Sequence, residues 1–294
     1  MKPGIVFILL MALSSGSTFA QTKTSNDDKK SSTRQEMSDA TVSDEQKQID
    51  ASRLQIMEKL SSGVTGFVQD EKGKAKLQKL PKPVLRFNDP SRAFQDGTVW
   101  VWGEKGRPQG LLAIERYNSG NWFVECVSMT TRPEQQISAD LPYGLRWSPR
   151  KPGLVFQQIP EHAAPGSKKF KRLQQLKAIA RRFRFRETYR GQDSELRLMA
   201  RPIQRYSDTD IIDGALFVFS NGTNPEAVLV VECVKSTTGH QWQFGVVRLS
   251  SAILEGWLDR KQVYKSPQQL INAVAEPYFA SGVREERLKS IVTP

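Results

Sequence analysis

A pattern that occurs twice constrains this chain more than any other feature. Residues 96–129 read DGTVWVWGEKGRPQGLLAIERYNSGNWFVECVSM, and residues 213–249 read DGALFVFSNGTNPEAVLVVECVKSTTGHQWQFGVVRL. Set Asp96-Gly97 on Asp213-Gly214, and Trp100 and Trp102 meet Phe217 and Phe219, Pro108 meets Pro225, Glu115 meets Glu232 and Trp122 meets Trp242. A shorter register competes with this one. Val124-Glu125-Cys126-Val127 recurs word for word as Val231-Glu232-Cys233-Val234, but aligning on it throws the two Asp-Gly pairs out of step. The long register keeps turns as well as apolar positions. Two copies are too few for a solenoid, so the pattern predicts one internally duplicated domain.

Each copy reads as three antiparallel strands. Residues 98–103 are β-branched and aromatic, and the turn after them contains Asn221-Gly222 in the second copy, a tight-hairpin signal. The next strand, 109–117 or 226–235, is nearly continuously apolar, which predicts burial on both faces. The third, 121–129 or 241–249, begins beside a Trp and alternates. Asp-Gly ahead of each first strand is turn chemistry.

Around these units the chain changes character. Residues 1–20 read as a secretory signal peptide, with Lys2 basic, an apolar run at 5–13, and Thr18 and Ala20 suited to a cleavage site. The mature chain is then expected to be exported, periplasmic or extracellular, with no transmembrane segment. Residues 21–83 are polar, which predicts a disordered tether with a short helix at 49–60. The folded domain is expected over 84–279, with units at about 85–130 and 196–250. Leu85-Arg86-Phe87 and Leu196-Arg197-Leu198 are read as matching lead strands. Between the units, residues 167–186 (SKKFKRLQQLKAIARRFRFR) place Phe170, Leu173, Leu176, Ile179 and Phe183 at helical spacing behind Ser167 as N-cap. Ser266-Pro267 is read as opening another helix that carries Leu270, Ile271 and Val274, and residues 280–294 as a charged tail.

Taken together, Leu85-Arg86-Phe87-Asn88-Asp89-Pro90, Asp96-Gly97, Gly106-Arg107-Pro108, Leu145-Arg146-Trp147, the 172–181 helix segment, Glu195-Leu196-Arg197-Leu198 and Asp213-Gly214-Ala215-Leu216-Phe217 resemble a family of uncharacterised exported proteins of planctomycete bacteria. The resemblance covers most of residues 84–254. It implies a domain and no activity.

The chemistry open to the chain is narrow. Two His, at 162 and 240, and no Gly-x-Ser-x-Gly elbow argue against nucleophilic catalysis. Two distant Cys and two isolated His lack metal-ligand spacing, and Gly-rich phosphate loops are absent, so neither metal nor cofactor is expected. Cys126 and Cys233 are either a disulfide, which export permits, or two buried thiols. The duplicated carboxylates Glu115, Glu232, Asp96 and Asp213 are the catalytic candidates. Brought together across a two-fold axis they could work as an acid–base pair on a polysaccharide or cell-wall polymer. The formal charge of +12 is concentrated around the central helix, where Lys177, Arg181, Arg182, Arg184 and Arg186 are the anion-contact candidates. Export argues against nucleic acid and leaves anionic envelope polymers, lipid head groups or an acidic protein as partners. The expectation is an α+β fold, two duplicated antiparallel three-stranded units in one pseudo-symmetric domain, linked and covered by a basic amphipathic helix. The expected function is non-catalytic binding or structure, with a hydrolase as the alternative.

Overall fold

A computed structural model describes residues 44–89, 94–237 and 239–292. The predicted signal peptide and residues 21–43 of the predicted tether lie outside them. The described part opens with helix α1 (Asp44–Gly63), the hairpin β1 (Thr65–Asp70) and β2 (Gly73–Lys76), and the meander β3 (Leu85–Asp89), β4 (Phe94–Trp102), β5 (Gly110–Tyr117) and β6 (Trp122–Ser128). Then come β7 (Gln136–Asp140), β8 (Arg146–Trp147) and β9 (Gln157–Gln158). The chain next runs through α2 (Lys169–Ala180), the hairpin β10 (Phe183–Tyr189) and β11 (Gln192–Leu198), and the meander β12 (Gln204–Tyr206), β13 (Ile211–Asn221), β14 (Asn224–Ser236) and β15 (Gly239–Arg248). It ends with β16 (Ile253–Leu258), β17 (Lys261–Ser266), β18 (Tyr278–Val283) and α3 (Glu285–Val292). Pairing is antiparallel throughout, so the fold is mostly antiparallel sheet with few helices.

The strands pair in the same way in both halves. β7 returns to β1, and β16 returns to β10. Gly97 faces Glu115 on β5 as Gly214 faces Glu232 on β14. Outward-facing residues of each meander form that half's own core. Trp100, Trp102, Leu112, Ile114, Trp122 and Val124 pack with Met57 and Leu60 of α1, while Phe217, Phe219, Leu229, Val231, Trp242 and Phe244 pack with Leu176 and Ile179 of α2. The opposite faces meet each other. Val99, Val101, Leu111, Ala113 and Val127 share one core with Leu216, Val218, Val228, Val230 and Val247. Two cores per meander explain why β5 and the middle of β14 are buried on both faces, as their continuous apolar runs predict.

The outermost partners of the two meanders are exchanged. β18, from the end of the chain, pairs with β6 of the first half, and β9, from the end of the first half, pairs with β15 of the second. The hairpin turns cross reciprocally as well. A Cβ on Gly106 would lie 2.8 Å from Asp208 Oδ2, and one on Gly222 would lie 3.4 Å from Asp89 Oδ2.

Several expectations are corrected. The folded part begins at Asp44 rather than at residue 84, because Met57 and Leu60 are fully buried against the first meander and Phe67 and Val68 pair with β7. The central helix covers 169–180 and not 167–186. Phe183 and Phe185 must both enter the second-half core, and residues two apart share a face on a strand but not on a helix. Lys168, not Ser167, occupies the N-cap without a side-chain cap bond, and Phe170 is 57% exposed. The second lead strand is β12, since Tyr206 faces Gly214 as Phe87 faces Gly97, whereas 196–198 belongs to β11. Residues 267–277 form no helix, and Leu270 is 82% exposed. Residues 280–292 are no free tail, because Ala280, Ser281 and Val283 are buried in β18 and Leu288 of α3 packs in the first-half core.

The aromatic-over-glycine contacts are a test of this register. A Cβ on Gly214 would stand 2.4 Å from Tyr206 Cε2, and the ring is buried. The aromatic side chain covers the gap that a strand glycine leaves. Gly214→Ala should therefore destabilise by about 2 kcal/mol, within the usual cost of overpacking. Urea unfolding measures this, and a change under about 0.5 kcal/mol would mean that the ring yields freely.

Candidate functional site

The four candidate carboxylates come first. Asp96 and Asp213 lie beside the bulged starts of β4 and β13, each gripped by an arginine from the neighbouring lead strand. Arg86 donates from Nε and Nη2 to Asp96 at 2.9 and 2.6 Å, and Arg205 donates likewise to Asp213 at 2.7 and 2.5 Å. Each guanidinium also reaches a helix carbonyl, Arg86 that of Asp50 and Arg205 that of Lys169. These arginines rivet a helix to each meander. Asp213 accepts a further bond from Arg172 Nε at 3.0 Å.

Glu232 is fully buried and accepts four bonds. Arg107 donates from Nε and Nη2 at 2.7 Å each, and Tyr206 Oη and Gln243 Nε2 donate at 2.8 Å. Arg107 comes from the β4–β5 turn of the other half and lies over the Phe156 ring at 4.7 Å. Glu115 occupies the matching position in the first sheet and is 3% exposed. The four acids are thus not assembled into an acid–base pair. Three are neutralised by bidentate arginine, and all four are buried, none more than 4% exposed, whereas general acid–base work needs a group within reach of substrate. Trp100, Trp102, Trp122 and Trp242 are core residues and offer no stacking face.

Cys126 and Cys233 are both free and buried. The expected alternative of a disulfide is corrected by where the strands place them. Cys126 lies in the first-half core and Cys233 in the second-half core, with the shared core between. Burial pushes both thiols up, away from reactivity. The identical tetrapeptides around them sit on different strands, β6, the last of the first meander, and β14, the third of the second.

The five anion-contact candidates separate into two groups. Arg182 donates from Nε and Nη2 to Asp259 at 3.2 and 2.7 Å, which lowers the Asp259 pKa. Arg186 binds Glu255 at 2.5 Å and approaches Asp193 at 3.3 Å. These two are tied down. Lys177, Arg181 and Arg184 make no ion pair among the described residues. Arg184 is exposed on β10 opposite Trp257. Lys177 and Arg181, four residues apart at the end of α2, share one side of the helix. With Leu198, Met199, Ala200 and Phe217 they line a cavity of about 370 Å³.

The carboxylate pairs were legible in the sequence, but their arginine partners were not. The one signal available was Arg86-Phe87 and Arg205-Tyr206, each placed ahead of an Asp-Gly. Among the described residues no group of three or more His, Cys, Asp and Glu could hold a metal, and no helix is long and apolar enough to cross a membrane. Comparison with protein-family models, curated protein sequences and solved structures finds no match.

Proposed function

We propose that this chain is an exported, non-catalytic binding module, built by internal duplication, which contacts anionic envelope material through Lys177, Arg181 and Arg184. The observation that carries the reading is the division among the basic residues. Arg86, Arg107, Arg172, Arg182, Arg186 and Arg205 are committed to carboxylates, whereas among the described residues these three make no ion pair, Lys177 and Arg181 lining an open cavity and Arg184 standing exposed on β10. The duplication is supported by the matched Arg86–Asp96 and Arg205–Asp213 pairs. Reciprocal turn contacts and exchanged edge strands support it too, as the geometry of a two-fold interface requires. The hydrolase alternative finds no such support, because three of its four carboxylates serve as internal ties.

Sedimentation with isolated cell envelopes tests the reading, using the chain from residue 21 across a salt series. Wild type should sediment near 0.05 M salt and be released as the Debye length shrinks from about 10 Å at 0.1 M toward about 3 Å at 1 M. Lys177→Ser/Arg181→Ser/Arg184→Ser should stay in the supernatant, and Arg182→Ser/Arg186→Ser should still sediment. If the triple variant sediments like wild type, the proposed surface is wrong.

A further inference from the structure

We infer that the cavity beside Lys177 and Arg181 takes an anionic amphiphile, a carboxylate or phosphate head group on a short alkyl chain. The head group would be held by the two cations and the chain by Leu198, Met199 and Phe217. The inference rests on the anion-binding reading above and narrows its ligand.

The argument comes from comparing the two halves at the same place. Helices and lead strands correspond at a constant spacing of 119 residues: Asp50 and Lys169 bond Arg86 and Arg205, and Lys79 bridges Trp102 as Leu198 pairs with Phe219. In the first half this place holds a lysine. Lys79 Nζ donates to Ser61 Oγ at 3.0 Å and lies 5.2 Å from the centre of the Trp100 ring. Burial lowers its pKa, and the field of Glu58 works in the opposite direction. A cation from the chain itself therefore occupies the seat, supported by a carboxylate, a hydroxyl and a tryptophan face.

In the second half each of those groups changes. Leu198 stands at the position of Lys79, Lys177 at that of Glu58, Ala180 at that of Ser61, Arg181 at that of Ser62 and Phe217 at that of Trp100. The internal cation is gone, its carboxylate has become a cation, and a cavity of about 370 Å³ opens. The seat has reversed its sign. A guest that satisfies it is negative and comes from outside the chain.

The carbonyl end of α2 opposes an anion only with about half a unit charge, against two full positive charges. Without a guest, Lys177 and Arg181 repel each other at a spacing that costs a few tenths of a kcal/mol on a helix. The rest of the lining is aliphatic, thioether and the edge of a buried ring, which suits an alkyl chain. Methionine adapts its shape to such a guest. The volume has room for roughly a dozen water-sized groups, enough for octanoate.

Calorimetric titration of octanoate into the full chain at low salt tests this. One equivalent should bind with a Kd on the order of 0.1 mM, and neither acetate nor octyltrimethylammonium should bind. Lys177→Gln/Arg181→Gln should weaken octanoate at least about tenfold. Leu198→Lys/Lys177→Glu, which moves the first-half arrangement into the second half, should abolish it. Circular dichroism checks that both variants fold. Phosphatidylglycerol vesicles form the second arm, with phosphatidylcholine as control. Capture by the former that is lost in both variants identifies a bilayer head group as the source, and octanoate binding alone identifies a free amphiphile. Octanoate binding unchanged in the Gln variant overturns the inference. So does a wild type that binds neither probe. If that protein still sediments with envelopes in a Lys177- and Arg181-dependent way, the broader reading survives the narrower one. If it sediments with nothing, both fall.

Discussion

Arg107→Ala should cost about 3–5 kcal/mol of stability, the loss expected when one partner of a buried ion pair is removed. Glu232 has no exposed surface and the Arg107 side chain only 22%. The variant leaves Glu232 with Tyr206 and Gln243 as donors but with no cation to offset a negative charge buried between the halves. Burial and that same carboxylate already hold the Tyr206 phenol well above its ordinary pKa, so it cannot take up the charge. The control is Arg182→Ala. It breaks a bidentate pair of the same chemistry, but Asp259 is 54% exposed there, and such pairs contribute less than about 1 kcal/mol. Arg107→Leu/Glu232→Gln should recover most of the loss, because it removes the charge along with its partner. Urea unfolding of the three variants decides the matter. If Arg107→Ala falls within about 1 kcal/mol of Arg182→Ala, Glu232 is not held in a dry site and the arginine is not a tie between halves.

What the sequence displayed and what it concealed divide along the range of the interactions. The meanders were legible because their signals are local: aromatic alternation at Trp100 and Trp102, Asn221-Gly222 in a turn, and unbroken apolar runs in β5 and β14. Helix α1 was read only as a short helix at 49–60 within a tether, since only Met57, Leu60 and Ser61 of its twenty residues are buried. A stripe that narrow leaves little periodicity to read. The boundary of α2 was concealed by coincidence. Phe183 continues the helical spacing of Leu176 and Ile179 and also opens the two-residue alternation of Phe183, Arg184, Phe185 and Arg186. β18 looked like a frayed end because the strand that covers it, β6, lies about 150 residues earlier, and no window on the sequence sees such a partner. The basic residues showed the same limit. Composition counted them correctly, but only the placement of Asp259, Glu255 and Asp193 separates the tied arginines from the free ones.

The exchanged strand also carries a pH dependence that a typical carboxylate would not. Glu125 on β6 is 6% exposed and accepts a bond from Tyr278 Oη of β18 at 2.8 Å. Burial pushes it up to about 7 from 4.5, against the pull of the Tyr278 bond and of Arg248. Arg248 does little more for Glu125, because its donors are taken by Ser250, Ser266, Pro267 and Ala252. Glu115 and Glu226 add negative field to the same neighbourhood, acting on Tyr278 and Arg248 respectively. Between pH 4.5 and 7 the unfolded chain has released this proton while the folded chain keeps it. The folded state then binds more protons, so stability falls as pH rises through that window and levels off above it, by roughly 3 kcal/mol in all. Glu125→Gln removes the proton from both states and should abolish this component. Urea unfolding of the two proteins from pH 4.5 to 7.5 should give a difference that shifts steadily in favour of the Gln variant. A flat difference, or one of the opposite slope, would mean that Glu125 is ionised beneath the exchanged strand and that Arg248 compensates it after all. The expected slope would instead tie the docking of β18, and with it the joining of the two halves, to a single protonated carboxyl.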